Sequence, residues 1–90
     1  MFTQLKDSTL FHQQAYINGR WCDAYSGETL EVTNPADGQV LGTTPRMGAE
    51  ETRDAIHAAE ASLPAWSELT AAERARRLRR WFELMMAAQE

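Results

Sequence analysis

Cys22, His12, His57 and two close glutamate pairs are the side chains in this chain that could carry catalysis. A cysteine offers a thiolate nucleophile, a histidine a general base, and paired carboxylates an acid/base couple. The surroundings argue against each. A reactive thiol needs an electropositive, partly exposed niche. Cys22 instead follows Trp21 in a strand-like run, and the charge of Asp23 beside it opposes a thiolate. Cysteine is also among the most often buried residue types, so Cys22 is expected to pack. His12 and His57 have no local or helix-spaced Cys or His partner, and His57 falls on a helix flank where exposure is expected. Glu50 and Glu51 are adjacent on a helix and so point apart. Glu28 with Glu31 makes the other close pair. No GxGxxG, phosphate-binding loop or HExxH occurs. Gly38 and Gly42 read as hairpin glycines, because a strand follows them rather than a helix.

Two groups of residues suggest binding instead. Trp21, Trp66 and Trp81 could stack on bases, but each sits on a regularly spaced apolar face, so packing is the expectation. The run RARRLRR, residues 74–80, holds five of the nine basic residues (Arg74, Arg76, Arg77, Arg79, Arg80) and leaves the rest of the chain strongly acidic. Such a cluster can bind phosphate or nucleic acid. Its interleaved apolar residues keep helical spacing, so it reads as the solvated face of an amphipathic helix, with no nucleic-acid partner expected.

Size and composition bound these possibilities. Ninety residues allow one small domain with a modest core. No apolar run is long enough to span a bilayer. The start, MFTQLKDSTLF, lacks the continuous apolar stretch of a secretory signal. One cysteine can form neither an internal disulfide nor a multi-cysteine zinc site, and a reducing, cytoplasmic compartment is the expectation.

The elements that would position these residues fall into two halves. Over 14–45 the pattern is that of β-hairpins. Gln14–Ile17 and Arg20–Asp23 flank Asn18-Gly19, whose residues best tolerate the positive φ of a tight hairpin turn. Thr29–Thr33 and Gln39–Thr44 flank Asn34-Pro35 and Asp37-Gly38, a second hairpin with a longer loop. Over 49–90 the period becomes helical. Thr52, Ile56, Ala59 and Leu63 form one stripe, Glu50 and Glu51 suit the positive end of the helix dipole, and Pro64 is expected to end the helix near Leu63. Trp66 and Leu69 then fall in a short connector. Thr70-Ala71-Ala72-Glu73 is a capping-box sequence opening a second helix, with Ala71, Ala75, Leu78, Phe82 and Met85 on one stripe and Trp81 and Met86 widening it. No stop signal follows Met86, so the helical pattern is expected to run to Glu90 and the chain to be part of something longer.

The runs AYINGRW, EVTNPADGQVLGTTP and EETRDAIHAAEASLPAW, followed by the capped second helix, resemble the amino-terminal segment of the aldehyde dehydrogenase superfamily. DSTLFHQQAYINGRW and RLRRWFELM are most similar to its bacterial succinate-semialdehyde dehydrogenases. The resemblance implies an α+β fragment: two antiparallel β-hairpins followed by two α-helices, the amino-terminal part of the cofactor-binding, Rossmann-like domain. It implies an oligomeric enzyme, dimeric or tetrameric, that uses NAD or NADP. In that family a cysteine thiolate attacks the aldehyde, hydride passes to the nicotinamide, and a glutamate activates water to release the acid. The nucleophile stands in a GQxC-type context with no counterpart here, and neither the base, the oxyanion asparagine nor the cofactor-binding lysine has a matching position.

The resemblance therefore implies scaffold with no catalytic, cofactor-binding or metal residue in this segment, inactive alone and with no cofactor bound. Some members hold a structural cation on backbone carbonyls matching Val32 and Thr33. Its other ligands lie beyond residue 90, so no ordered cation is expected. The alternative is a non-catalytic module that self-associates through exposed apolar helix faces at Trp66, Trp81, Phe82, Met85 and Met86.

Overall fold

The structure is a computed structural model that describes residues 5–90. The first four residues of the MFTQLKDSTLF start lie outside them. The chain divides into two units, residues 1–58 and 59–90, with the division falling inside the first long helix.

In the first unit, a single 3-10 turn over Ser8–Leu10 is capped by Asp7, whose carboxylate accepts the Thr9 amide. β1 (Ala15–Ile17) and β2 (Arg20–Cys22) then pair antiparallel, with Tyr16 opposite Trp21. Their turn is Asn18-Gly19, with φ of 52° and 74°. Positive φ at both central residues is the type I′ requirement, whose twist matches the flanking strands. β3 (Thr29–Thr33) and β4 (Val40–Pro45) form a separate two-stranded sheet, with a register irregularity between Val32 and Thr33. Side chains close the loop between them: Asn34 Oδ1 accepts the Ala36 amide and Asp37 Oδ1 accepts the Gln39 amide, both at 2.9 Å. These are the local Asn/Asp turns that compete with regular structure. Pro45 ends β4, where a missing N–H does not interrupt a ladder.

Two helices follow, α1 (Ala49–Glu68) and α2 (Ala71–Ala87). The expected end of α1 near Leu63 is overturned: the helix continues through Pro64 to Glu68 and takes Trp66 with it. Proline cannot donate to the Glu60 carbonyl, but that is one lost bond in an Ala-rich helix of good intrinsic propensity. The following turn also tightens, since Ser67 Oγ donates to the Pro64 carbonyl at 3.0 Å and the Leu69 amide to that of Trp66 at 3.2 Å. The capping box of α2 forms as the sequence specifies. Thr70 Oγ1 accepts the Glu73 amide at 3.2 Å, and Glu73 Oε2 accepts the Thr70 amide at 2.9 Å. At its other end α2 does not run to Glu90. It stops at Ala87, with the Ala88 amide shared among the Leu84, Met85 and Met86 carbonyls.

Burial is confined to the first unit. Ala24, Pro45 and Glu51 are the buried residues among those described, and Glu51 is 8% exposed. The small interior is therefore partly polar, built around one carboxylate.

Candidate functional site

The most constructed group of side chains surrounds that carboxylate. Gly48 precedes the first residue of α1, which puts Glu51 three positions on, where a glutamate reaches back to the N-cap amide. Glu51 Oε1 accepts the Gly48 amide at 3.0 Å. Its other oxygen accepts the Tyr25 amide, also at 3.0 Å, from the loop between β2 and β3. One turn further along α1, the Asp54 carboxylate accepts the Tyr25 hydroxyl. Separations of 26 and 29 residues are thus closed at the two ends of one tyrosine.

The electrostatics follow from these partners. Amide donors hold the Glu51 carboxyl below its ordinary range, its own backbone N–H most and the Tyr25 and Gly48 amides with it, against opposition from desolvation. The Tyr25 hydroxyl is pushed above its ordinary range, first by donating to Asp54 and then by the negative charges of Asp54, Glu51 and Glu50. A tyrosine held protonated and a glutamate held ionised make a clamp, not an acid/base pair. Beside it lies an open cavity of about 370 Å³, whose walls include Glu28, Arg46, Glu50 and Glu51.

The residues singled out for chemistry are dispersed. Cys22 is half-buried and its Sγ donates to the Ala15 carbonyl across the first hairpin at 3.4 Å. His12 stacks on Trp21 with ring centroids 3.7 Å apart and planes within 5°, and Tyr16 meets the same indole edge-on at 5.0 Å. His57 is exposed on α1. Glu50 is exposed while Glu51 is buried, so the pair diverges, and Glu28 and Glu31 are both exposed. Val32 and Thr33 pair with Gly42 and Val40 in the second sheet. Among the described residues no His/Cys/Asp/Glu cluster could hold a metal ion.

Gly38 and Gly42 do not form a phosphate cradle for a dinucleotide. A phosphate cradle needs glycine backbone open to the ligand at a helix start. Gly38 has its φ of 77° in the second hairpin loop. The space over Gly42 is already taken: a Cβ there would stand 2.8 Å from Gln13 Oε1 and 3.1 Å from the Phe11 ring. That contact reflects a second long-range anchor, in which Gln13 Oε1 accepts the Thr43 amide at 2.8 Å. Tyr25, Asp54 and Gln13 were not recoverable as partners from sequence. The Gly48-to-Glu51 spacing was the one signal available for the clamp.

In the second unit, the Arg run divides by task. Arg74 donates to the Leu69 carbonyl and, at 3.5 Å, to that of Ser67, placing a cation on the carbonyls at the end of α1. Arg79 pairs with Glu83 at 3.4 Å and lies over the Phe82 ring. Arg76, Arg77 and Arg80 line an open groove of about 510 Å³ with Leu69 and Glu73. On α2 the apolar side chains are uncovered: Trp81 is 61% exposed, with Phe82, Met85 and Met86 exposed beside it. No helix among the described residues is long and apolar enough to cross a membrane.

Comparison with known proteins agrees with the resemblance in the sequence. Residues 21–90 match the aldehyde dehydrogenase family. The chain is 63% identical over 87 residues to a glutarate-semialdehyde dehydrogenase of Pseudomonas putida, covering 97% of this chain and 18% of the relative. To the NADP(+) succinate-semialdehyde dehydrogenase of Escherichia coli it is 61% identical with the same coverage. A crystal structure of succinate-semialdehyde dehydrogenase from Burkholderia pseudomallei superposes with a TM-score of 0.88 at 52% identity, over 94% of this chain and 18% of that one. The chain thus spans less than a fifth of the length of these relatives, and its two sheets and two helices match their amino-terminal portion. This chain belongs to the aldehyde dehydrogenase family, in its glutarate/succinate-semialdehyde dehydrogenase group.

Proposed function

We propose that these residues are the amino-terminal scaffold of a cytoplasmic, NAD(P)+-dependent enzyme that oxidises succinate semialdehyde, glutarate semialdehyde or a related aldehyde to its carboxylate. In this reading they form part of the cofactor-binding, Rossmann-like domain, with hairpins over 14–45 and helices over 49–90. They perform no step of the reaction. What supports the reading is about 60% identity to two semialdehyde dehydrogenases together with the structural contacts made by Cys22 and Glu51. The one thiol is spent on a hairpin carbonyl, and the one buried carboxylate on two backbone amides.

The exposed apolar side of α2 supports the same reading. Trp81, Phe82, Met85 and Met86 form the surface that the remainder of a longer enzyme would cover. In the isolated chain that surface favours self-association, which is the second reading: a non-catalytic interaction module.

The experiment is a segment exchange. Replacing the matching residues of the Escherichia coli succinate-semialdehyde dehydrogenase by this chain is expected to preserve reduction of NADP+ by succinate semialdehyde, and Cys22→Ala in that chimera to leave kcat unchanged. The 90-residue chain alone is expected to reduce neither NAD+ nor NADP+. Turnover by the pure chain, or loss of activity on Cys22→Ala, would overturn the scaffold assignment.

A further inference from the structure

The charge of this chain is uneven. Residues 1–58 hold four basic residues against eight acidic ones, whereas the five glutamates of residues 59–90 are matched by five arginines, all gathered within 74–80. On α2 the cluster becomes a shaped surface. Arg76, Arg77 and Arg80 line one side of the 510 Å³ groove, with Leu69 as its apolar wall. The one carboxylate there, Glu73, is engaged by the Thr70 amide. Arg80 has Glu83 only at 4.0 Å. In the first unit the 370 Å³ cavity is its counterpart. Glu28, Glu50 and Glu51 line it against a single cation, Arg46, and the carboxylate of Asp54 lies close by on the Tyr25 hydroxyl.

We propose that the Arg76–Arg77–Arg80 groove of one copy docks the acidic surface around Glu28 and Glu50 of a second copy. A lone exposed ion pair contributes little. Three guanidinium groups in one groove act instead as a field, which steers an oppositely charged surface and fixes its register. Guanidinium planes also match carboxylates two bonds at a time. The contact joins different patches on the two copies, so it either pairs reciprocally in a two-fold, isologous dimer or repeats head to tail as a heterologous contact. It is independent of the enzymatic reading. Salt separates it from association through the apolar side of α2, which screening does not weaken.

The test is sedimentation equilibrium of the 90-residue chain, with circular dichroism confirming unchanged helix content in each variant. Between about 0.02 M and about 0.5 M salt the association constant is expected to fall by about tenfold or more. The variants Arg76→Glu/Arg77→Glu and Glu28→Arg/Glu50→Arg should each lose the salt-sensitive part of the association at low salt. Mixed in equal amounts they should recover it, because each supplies the native patch the other has lost. A monomer at low salt would overturn the proposal. So would association indifferent to salt and to both reversals, or association lost with the arginines and kept when the glutamates are reversed.

Discussion

Residues 5–58 and residues 59–90 are held together by different kinds of bond. In the first, Gln13 reaches Thr43 and Tyr25 reaches Glu51 and Asp54, so side chains tie segments separated by 26 to 30 residues. In the second, the side-chain bonds of the Thr70–Glu73 box, of Arg74 on the end of α1 and of Arg79 with Glu83 join residues three to seven apart. Long-range polar ties specify one arrangement of loop, sheet and helix start even with few buried apolar groups. Local caps specify helix ends but leave open what the helix packs against. The first region is thus fixed by its own residues, while the second offers an apolar side and an arginine groove to another surface.

The largest effect is expected where the long-range ties converge. Glu51→Ala removes the acceptor of two amides together, and hydrogen exchange at Tyr25 and Gly48 should accelerate by about tenfold or more, with α2 unchanged. The same tie gives a pH window. Glu51 is held below its ordinary value of 4.5, so its contribution is complete above that value and is lost as acid protonates the folded carboxyl below it. Tyr25 is raised above 10.0, so its contribution is complete below that pH and is lost as base ionises the folded hydroxyl above it. Protection of the Tyr25 amide should therefore hold across the neutral range and fall at both extremes. Equal loss in α2 would break the contrast between the regions.

Next in size is the packed notch at Gly42. Gly42→Val places side-chain carbon where Gln13 Oε1 and the Phe11 ring now sit, displacing the Gln13–Thr43 bond. A loss of about 1–2 kcal/mol is expected in thermal or urea unfolding. In a Gln13→Ala background most of that loss should vanish, giving a coupling of about 1 kcal/mol in the double-mutant cycle. Thr70→Ala is the local counterpart. Losing its cap should cost about 1 kcal/mol, read as fraying of the first turn of α2 and nothing in the sheets.

What the sequence could show divides along the same line. Asn18-Gly19 and Thr70 to Glu73 were legible because turn and cap chemistry is contained within a few residues. The family likeness was legible in the same local runs. Pro64 misled because propensity counts a missing N–H as an end, whereas one lost bond is outweighed by good helix formers around it and by the Ser67 and Leu69 bonds after it. The Glu51 carboxylate showed itself only as helix-start charge. Its Tyr25 and Asp54 companions, like the Gln13 anchor, depend on tertiary placement that no spacing rule encodes.

The smallest effect is expected at Arg79, and it distinguishes the arginines from one another. Its pair with Glu83 is one helical turn long, with side chains 71% and 51% exposed, and such pairs contribute about 0.3–0.5 kcal/mol. Arg79→Ala should therefore move the unfolding midpoint of α2 barely at all, despite the further loss of a cation above Phe82. It should also leave the association constant unchanged, because Arg79 does not line the groove formed by Arg76, Arg77 and Arg80. If Arg79→Ala weakened association as much as reversal of Arg76 and Arg77, net positive charge on α2 would be the cause and the groove's shape would be irrelevant. If it left association intact while the groove reversals abolished its salt-sensitive part, position within the RARRLRR run, rather than its total charge, would decide what this helix recognises.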